Sequence, residues 1–232
     1  MKTIIKYIPN TITCLNLFSG CVACVMANQE EFYLAALWII LAAIFDFMDG
    51  FVARMLKAYS PIGKELDSLA DVVSFGVAPS FLIYMLFADW MVEFDGVFAR
   101  LFPFLGFLVA VFSGLRLAKF NIDERQTTSF IGLPVPANAL FWCALIVGAR
   151  SWLDNLPYNY LWLLVLVLFS SWMLVSEVPM FALKFKSFSW NQNKLRYVFL
   201  LLSMLLIALT GIPGLSLAII LYVLLSIWNN RK

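Results

Sequence analysis

The sequence predicts an all-α, polytopic transmembrane helical bundle of about eight spans, with both termini on one side of the membrane. Three observations carry this expectation. Apolar side chains make up 63% of the 232 residues and charged ones 13%, with a mean hydropathy of +0.90, whereas soluble domains average ~25% charged residues. The apolar residues gather in runs of roughly membrane-crossing length, and the basic residues fall almost entirely in alternate connections between those runs.

A helix needs about 20 residues to cross a hydrocarbon core ~30 Å thick. The first span is expected at 12–28, behind Pro9 and Asn10. Met1 to Tyr7 is basic and runs into that Pro-Asn pair, so no cleavable signal is expected. Spans at 32–54 and 67–88 flank a more polar stretch, 55–66, read as the loop between them. Further spans are expected at 97–119, 134–152 and 158–176. The last two, 195–210 and 212–229, are short and meet at Gly211-Ile212-Pro213-Gly214, a breaker cluster suited to a tight helical hairpin. The chain contains no 20–50-residue repeat or low-complexity tract, so residues 1–232 read as one domain.

An even number of spans places both termini together, and the cations test the arrangement. Lys2, Lys6, Arg54, Lys57, Lys64, Arg116, Lys119, Arg125, Lys184, Lys186, Lys194, Arg196, Arg231 and Lys232 fall on the terminal side, against Arg100 and Arg150 on the other. By the positive-inside rule the terminal side is cytoplasmic. The longest polar connections, about 120–133 and 177–194, share that side and are placed to cover or shape a site there.

Several chemistries are set aside by composition. A net charge of +2 with no basic run gives nothing for nucleic acid to bind. The absence of histidine removes His bases and His ligands, leaving carboxylates for acid–base work. Cys14, Cys21, Cys24 and Cys143 lie in apolar segments; Cys21-x-x-Cys24 lacks further ligands at metal spacing and reads as helix filler.

The polar exception is the stretch from Asp46 to Asp71, DFMDGFVARMLKAYSPIGKELDSLAD. An ionised carboxylate at membrane depth costs at least ~2.5–3.5 kcal/mol, so four aspartates need a compensating partner. Asp46 and Asp49 are three apart and Asp67 and Asp71 four apart, which puts each pair on one helical face. A hairpin through 55–66 brings the four together at the cytoplasmic end, where hard oxygen ligands suit Mg²⁺ or Mn²⁺, with two ions ~3.5–4 Å apart a known arrangement for phosphoryl chemistry. Gly50, Ala53 and Gly63 leave room for a diphosphate or for close helix packing. Arg54 is placed either to reach lipid headgroups or to contact a substrate phosphate. A cation transporter would spread its acids along a path at mid-depth, which this clustering does not do.

With Asp46, Asp49, Gly50, Ala53, Arg54, Gly63, Asp67 and Asp71, the chain matches D-x2-D-G-x2-A-R-x8-G-x3-D-x3-D at every specified position. It thereby resembles the CDP-alcohol phosphotransferase family, whose members share a six-helix core, work as homodimers and pass a substituted phosphate from a CDP-activated donor to an alcohol, releasing CMP. The resemblance implies two Mg²⁺ or Mn²⁺ ions held by Asp46, Asp49 and Asp67 with help from Asp71, and Asp71 as the base that takes the acceptor proton. Residues 8–20, 63–79, 112–121 and 130–137 further resemble the serine-accepting, phosphatidylserine synthase branch. That implies CDP-diacylglycerol and L-serine as substrates in a prokaryotic cytoplasmic membrane, with the site open to the cytoplasm. Glycerol 3-phosphate, an inositol compound or an ether-linked donor remain as alternatives. Asn10, Thr13 and Asn16 would then lie near the donor nucleotide; their other reading, with Pro9, is the start of a helix. Arg116, Ser74 and Lys119 are candidates for acceptor or phosphate contacts, although Lys119 stands where the branch often has arginine and lacks its bidentate fork. Ser74, Gly76 and Pro79 are expected to break or bend the third span.

Overall fold

The computed structural model describes residues 7–123, 130–181 and 190–230. Lys2, Lys6, Arg125, Lys184, Lys186, Arg231 and Lys232, and the middles of the two long polar connections, lie outside the described residues.

Among the described residues the chain forms a polytopic membrane bundle of eight helical rods. They are α1 (Tyr7–Asn28), α2 (Phe32–Leu56), α3 (Pro61–Met91), α4 (Val97–Ile122), α5 (Val135–Gly148), α6 (Asn159–Val175), α7 (Trp190–Thr210) and α8 (Pro213–Asn229). Five are long and apolar enough to cross a membrane; α5, α6 and α8 are shorter apolar helices. A one-turn helix, Arg150–Asp154, follows α5 directly. The only sheet among the described residues pairs Phe130–Ile131 with Pro179–Met180, antiparallel.

The stretch 55–66, expected as a loop, is mostly helix. Lys57 ends α2 in the left-handed region at φ 50°, and Ser60 starts α3 by accepting from the Gly63 N–H at 3.0 Å, with Pro61 in the first turn. A Ser cap followed by Pro is a helix start, and it outweighs the polarity of 61–66. The α2–α3 connection therefore spans only residues 57–60, and α1 packs against both aspartate-bearing helices.

The third helix is the centre of the bundle: 61% of its most apolar window is buried, against 17–33% for the other four long helices. Phe75, Leu82, Ile83, Leu86 and Phe87 are fully buried on it and pack with Ile39 of α2 and Trp142 of α5. Its expected break takes the form of a π-helical segment, Val72–Val77, in which the Ala78 N–H donates to Val73 O. Pro79 explains the widening. Within an α-helix its ring would press on the carbonyl four residues back, and a wider turn relieves that contact.

The π segment also receives the neighbouring helices closely. A Cβ on Gly20 of α1 would stand 2.7 Å from Ser74 Cα, and one on Gly76 would stand 3.1 Å from Ser113 Cβ on α4. Gly20→Ala is therefore expected to push α1 off α3, destabilising the protein by about 1–3 kcal/mol and lowering activity with it. Thermal unfolding in detergent beside a turnover assay checks this; an unshifted melting temperature would refute the close packing.

The connectors sort to two ends. At one, Arg150 pairs with Asp89 and lies 5.3 Å over the Phe32 ring, while Gly148 packs on Pro213. At the other, Lys64 Nζ donates to Asn121 O at 3.2 Å, Lys119 pairs with Glu177, and Asn230 donates to Pro179 O. The second end carries both described chain ends and the aspartates. α7 packs chiefly on α8, and α8 joins the rest through α5, where Ser216 Oγ donates to Phe141 O at 2.9 Å.

Candidate active site

On α2, Asp46, Asp49, Gly50, Ala53 and Arg54 follow i, i+3, i+4, i+7, i+8, the stripe of one helical face. On α3, Gly63, Asp67 and Asp71 succeed one another at four-residue steps and form the facing stripe. One carboxylate oxygen each from Asp46, Asp49 and Asp67 lie within 4.8 Å of one another. Asp67 Oδ1 is buried and has no hydrogen-bond partner. Three converging carboxylates, one of which carries an otherwise orphaned buried oxygen, fit a divalent cation.

Helix α1 braces this group. Thr13 Oγ1 donates to Asp49 Oδ2 at 2.6 Å, and one turn deeper Asn16 Nδ2 donates to Asp71 Oδ1 at 3.2 Å. Asp71 is nearly buried and stands below the three-carboxylate group, one turn along α3 from Asp67. Asn16 is itself fixed, because its backbone carbonyl accepts from Ser74 Oγ at 3.0 Å. Thr13→Val, which keeps shape and removes the hydroxyl, is expected to weaken divalent-cation affinity by about 10–100-fold. A cation titration of activity reads this directly, and an unchanged midpoint would count against the role of Thr13.

Beside the carboxylates opens a cleft of about 260 Å³ toward the second end of the bundle. Asn10, Thr13, Asp49, Gly50, Ala53, Arg54, Gly63 and Asp67 all line it. The Arg54 side chain folds back over Gly50, its Nη1 3.4 Å from where a Cβ would stand. Gly63 is required by space: a Cβ there would lie 2.8 Å from Asn10 Oδ1 and 2.9 Å from Ser60 Oγ. The first turn of α3 borders the same wall, its Gly63 N–H capped by Ser60 Oγ, and Lys64 beside it adds a cation that favours an anion.

Sequence reasoning missed Tyr59, Ser60 and Lys64 in the wall. The Ser60-Pro61 helix start carried the signal for them, since it places Lys64 in the first turn beside Gly63.

The remaining candidates lie apart from the cleft. Ser74 is fully buried in the α1–α3 joint with its hydroxyl committed to Asn16 O. Arg116 is buried on α4 with its guanidinium 5.2 Å from the Phe120 ring centre. Lys119 pairs with Glu177. Cys14 and Cys21 sit on the exposed side of α1, and the described cysteines form no disulfide.

Carboxylates gathered from two helices beside a cleft that also carries Arg54 and Lys64, within a lipid-embedded bundle, define an integral membrane enzyme that handles a phosphorylated substrate. The chain belongs to the CDP-alcohol phosphatidyltransferase family, whose model matches residues 6–147, from the start of α1 almost to the end of α5. It is similar to the CDP-diacylglycerol–serine O-phosphatidyltransferase of Bacillus subtilis, 35% identical over 177 residues that cover 75% of this chain and 89% of the relative. The protein of the same description from Helicobacter pylori strain J99 is 33% identical over 206 residues, 86% of this chain and 81% of its own. That from Methanocaldococcus jannaschii is 30% identical over 214 residues, 92% of this chain and 89% of its own.

Proposed function

We propose that this chain is a CDP-diacylglycerol–serine O-phosphatidyltransferase, converting CDP-diacylglycerol and L-serine to phosphatidylserine and CMP. The observation that carries the chemistry is the convergence of Asp46, Asp49 and Asp67 beside a cleft walled by Arg54, Lys64 and the α3 N-terminus. The relatives' activity supplies the choice of serine.

In this reading Asp46, Asp49 and Asp67 hold Mg²⁺ or Mn²⁺, two ions per site, with Asp71 assisting. When bound, the cation neutralises charge developing on the leaving CMP. Arg54 and Lys64 bind and orient the donor diphosphate, while Asn10 and Thr13 line the side toward the nucleotide. The serine hydroxyl oxygen forms a new bond to the phosphorus that carries diacylglycerol. The bond from that phosphorus to the CMP oxygen breaks, and Asp71 takes the hydroxyl proton. Asn16 keeps Asp71 aimed by occupying its Oδ1.

The basic end of the bundle faces the cytoplasm in this reading, which gives the cleft access to soluble serine. Residues 1–232 act as one domain in a prokaryotic cytoplasmic membrane and assemble as a homodimer. The test is CMP release by the purified full chain with CDP-diacylglycerol and Mn²⁺ or Mg²⁺, with and without serine. Serine-dependent release with phosphatidylserine formed in equal amount is expected. Release with glycerol 3-phosphate and none with serine would overturn the acceptor assignment.

A further inference from the structure

A second cavity lies between α5, α6 and α8, with a volume of about 300 Å³. It shares no lining residue with the carboxylate cleft. Its wall is apolar almost throughout, running along α8 from Ile227 to Ile219 and along α6 from Met173 to Leu166. At 1.5 Å per residue those stretches make a groove roughly 10–12 Å long. It starts near the carboxylate end of the bundle, where Asn230 is tied to Pro179, and points toward the middle of the hydrocarbon layer. Ile220, Leu224 and Phe169 of its wall are exposed, so the groove is open to lipid along its length.

One side chain is out of keeping with this lining. Asn138, in the first turn of α5, is completely buried, lines the groove, and has no hydrogen-bond partner at either Nδ2 or Oδ1. The other polar group there, Ser170 Oγ, is satisfied: it accepts from Trp142 Nε1 at 3.2 Å and donates to Val167 O at 3.2 Å. A buried amide left unpaired on both atoms costs more than a hydrogen bond is worth, and such a group needs a partner from outside the chain.

We infer that this groove is a binding site for one acyl chain of a bilayer glycerolipid, with the Asn138 carboxamide hydrogen-bonded to the lipid's ester region. The volume and length suit a single hydrocarbon chain. Asn138 lies one helical turn below the start of α5, the depth at which the ester groups follow the headgroup. As the side chain lies, neither amide atom presents surface to the groove; a rotation about its side-chain bonds brings Nδ2 to an ester carbonyl and Oδ1 to a headgroup hydroxyl, ammonium or bound water. Because the two cavities are built from different helices and share no lining residue, this lipid is a resident one, distinct from the donor undergoing reaction.

The test uses the full chain in mild detergent, with native mass spectrometry and thermal unfolding with and without added dioleoylphosphatidylglycerol. Wild type is expected to keep one glycerolipid through washing and to gain melting temperature from added lipid. Ile220→Trp, which fills the groove from its exposed wall, is expected to lose both. Asn138→Leu is expected to release lipid about fivefold faster, the effect of one net hydrogen bond, and to melt higher than wild type once lipid is stripped. Equal retention by wild type and Ile220→Trp, or no retained lipid in wild type, would overturn the site. A change of oligomeric state in Ile220→Trp at unchanged lipid content would assign the groove to a second copy of the chain instead.

Discussion

Asp71→Asn is expected to lower phosphatidyl transfer by about 10²–10⁴-fold, the range that a positioned general base supplies, while binding of CDP-diacylglycerol is largely kept. The geometry makes this substitution a clean one. Asp71 Oδ1 accepts from Asn16 Nδ2, and the amide oxygen of an asparagine can accept the same bond, so the α1–α3 joint survives. What is lost is the second carboxylate oxygen, replaced by an NH₂ that can take no proton. Single-turnover CMP release beside equilibrium binding of the donor lipid separates the two effects. Near-normal turnover by this variant would exclude Asp71 as the base, and loss of donor binding would mean that it serves chiefly as a ligand.

Asp67→Asn is expected to have an effect as large, for a different reason. Its Oδ1 is the buried oxygen without a partner in the three-carboxylate group. Losing a ligand there removes several kcal/mol of charge stabilisation from the transition state, about 10³-fold in rate or more. The sign on stability runs the other way. Without a cation, three carboxylates within 4.8 Å repel one another at membrane depth, and neutralising one is expected to stabilise the chelated protein by ~0.5–2 kcal/mol. Melting curves in excess chelator and in excess Mn²⁺ test the pair of statements. If the variant melts below wild type under chelation, the group is held together by something other than a cation.

The bundle and the aspartate group were both readable from the chain, because their signals are local. Hydropathy runs give helices, and four-residue spacing gives faces. The same locality explains the misses. Polarity assigned 55–66 to a loop, while the Ser60 cap and Pro61 in fact start α3 there and bring Lys64 into the cleft wall. The uses of Ser74 and Lys119 depend on which side chains arrive from other helices, Asn16 in one case and Glu177 in the other. Nothing in the run of residues states those meetings. The partnerless state of Asn138 was likewise invisible, since an asparagine at the start of a helix is ordinary until its surroundings are known.

The π segment below Asp71 has a meaning for how this protein can vary. Each residue of an α-helix turns the chain by about 100°, so one additional residue accommodated in a wide turn changes the angular phase between the helical stretches on its two sides. The aspartate-bearing first half of α3 and the apolar second half, Ala78–Met91, are therefore set to different headings on one continuous rod. Deleting a single residue within 72–77 would return the rod to a regular helix and swing Asp67 and Asp71 away from α2 without altering any residue of the carboxylate group. The rotational setting of the chemistry against the membrane anchor is thus stored in one turn of backbone, a part of the sequence whose single polar side chain, Ser74, is committed to holding Asn16.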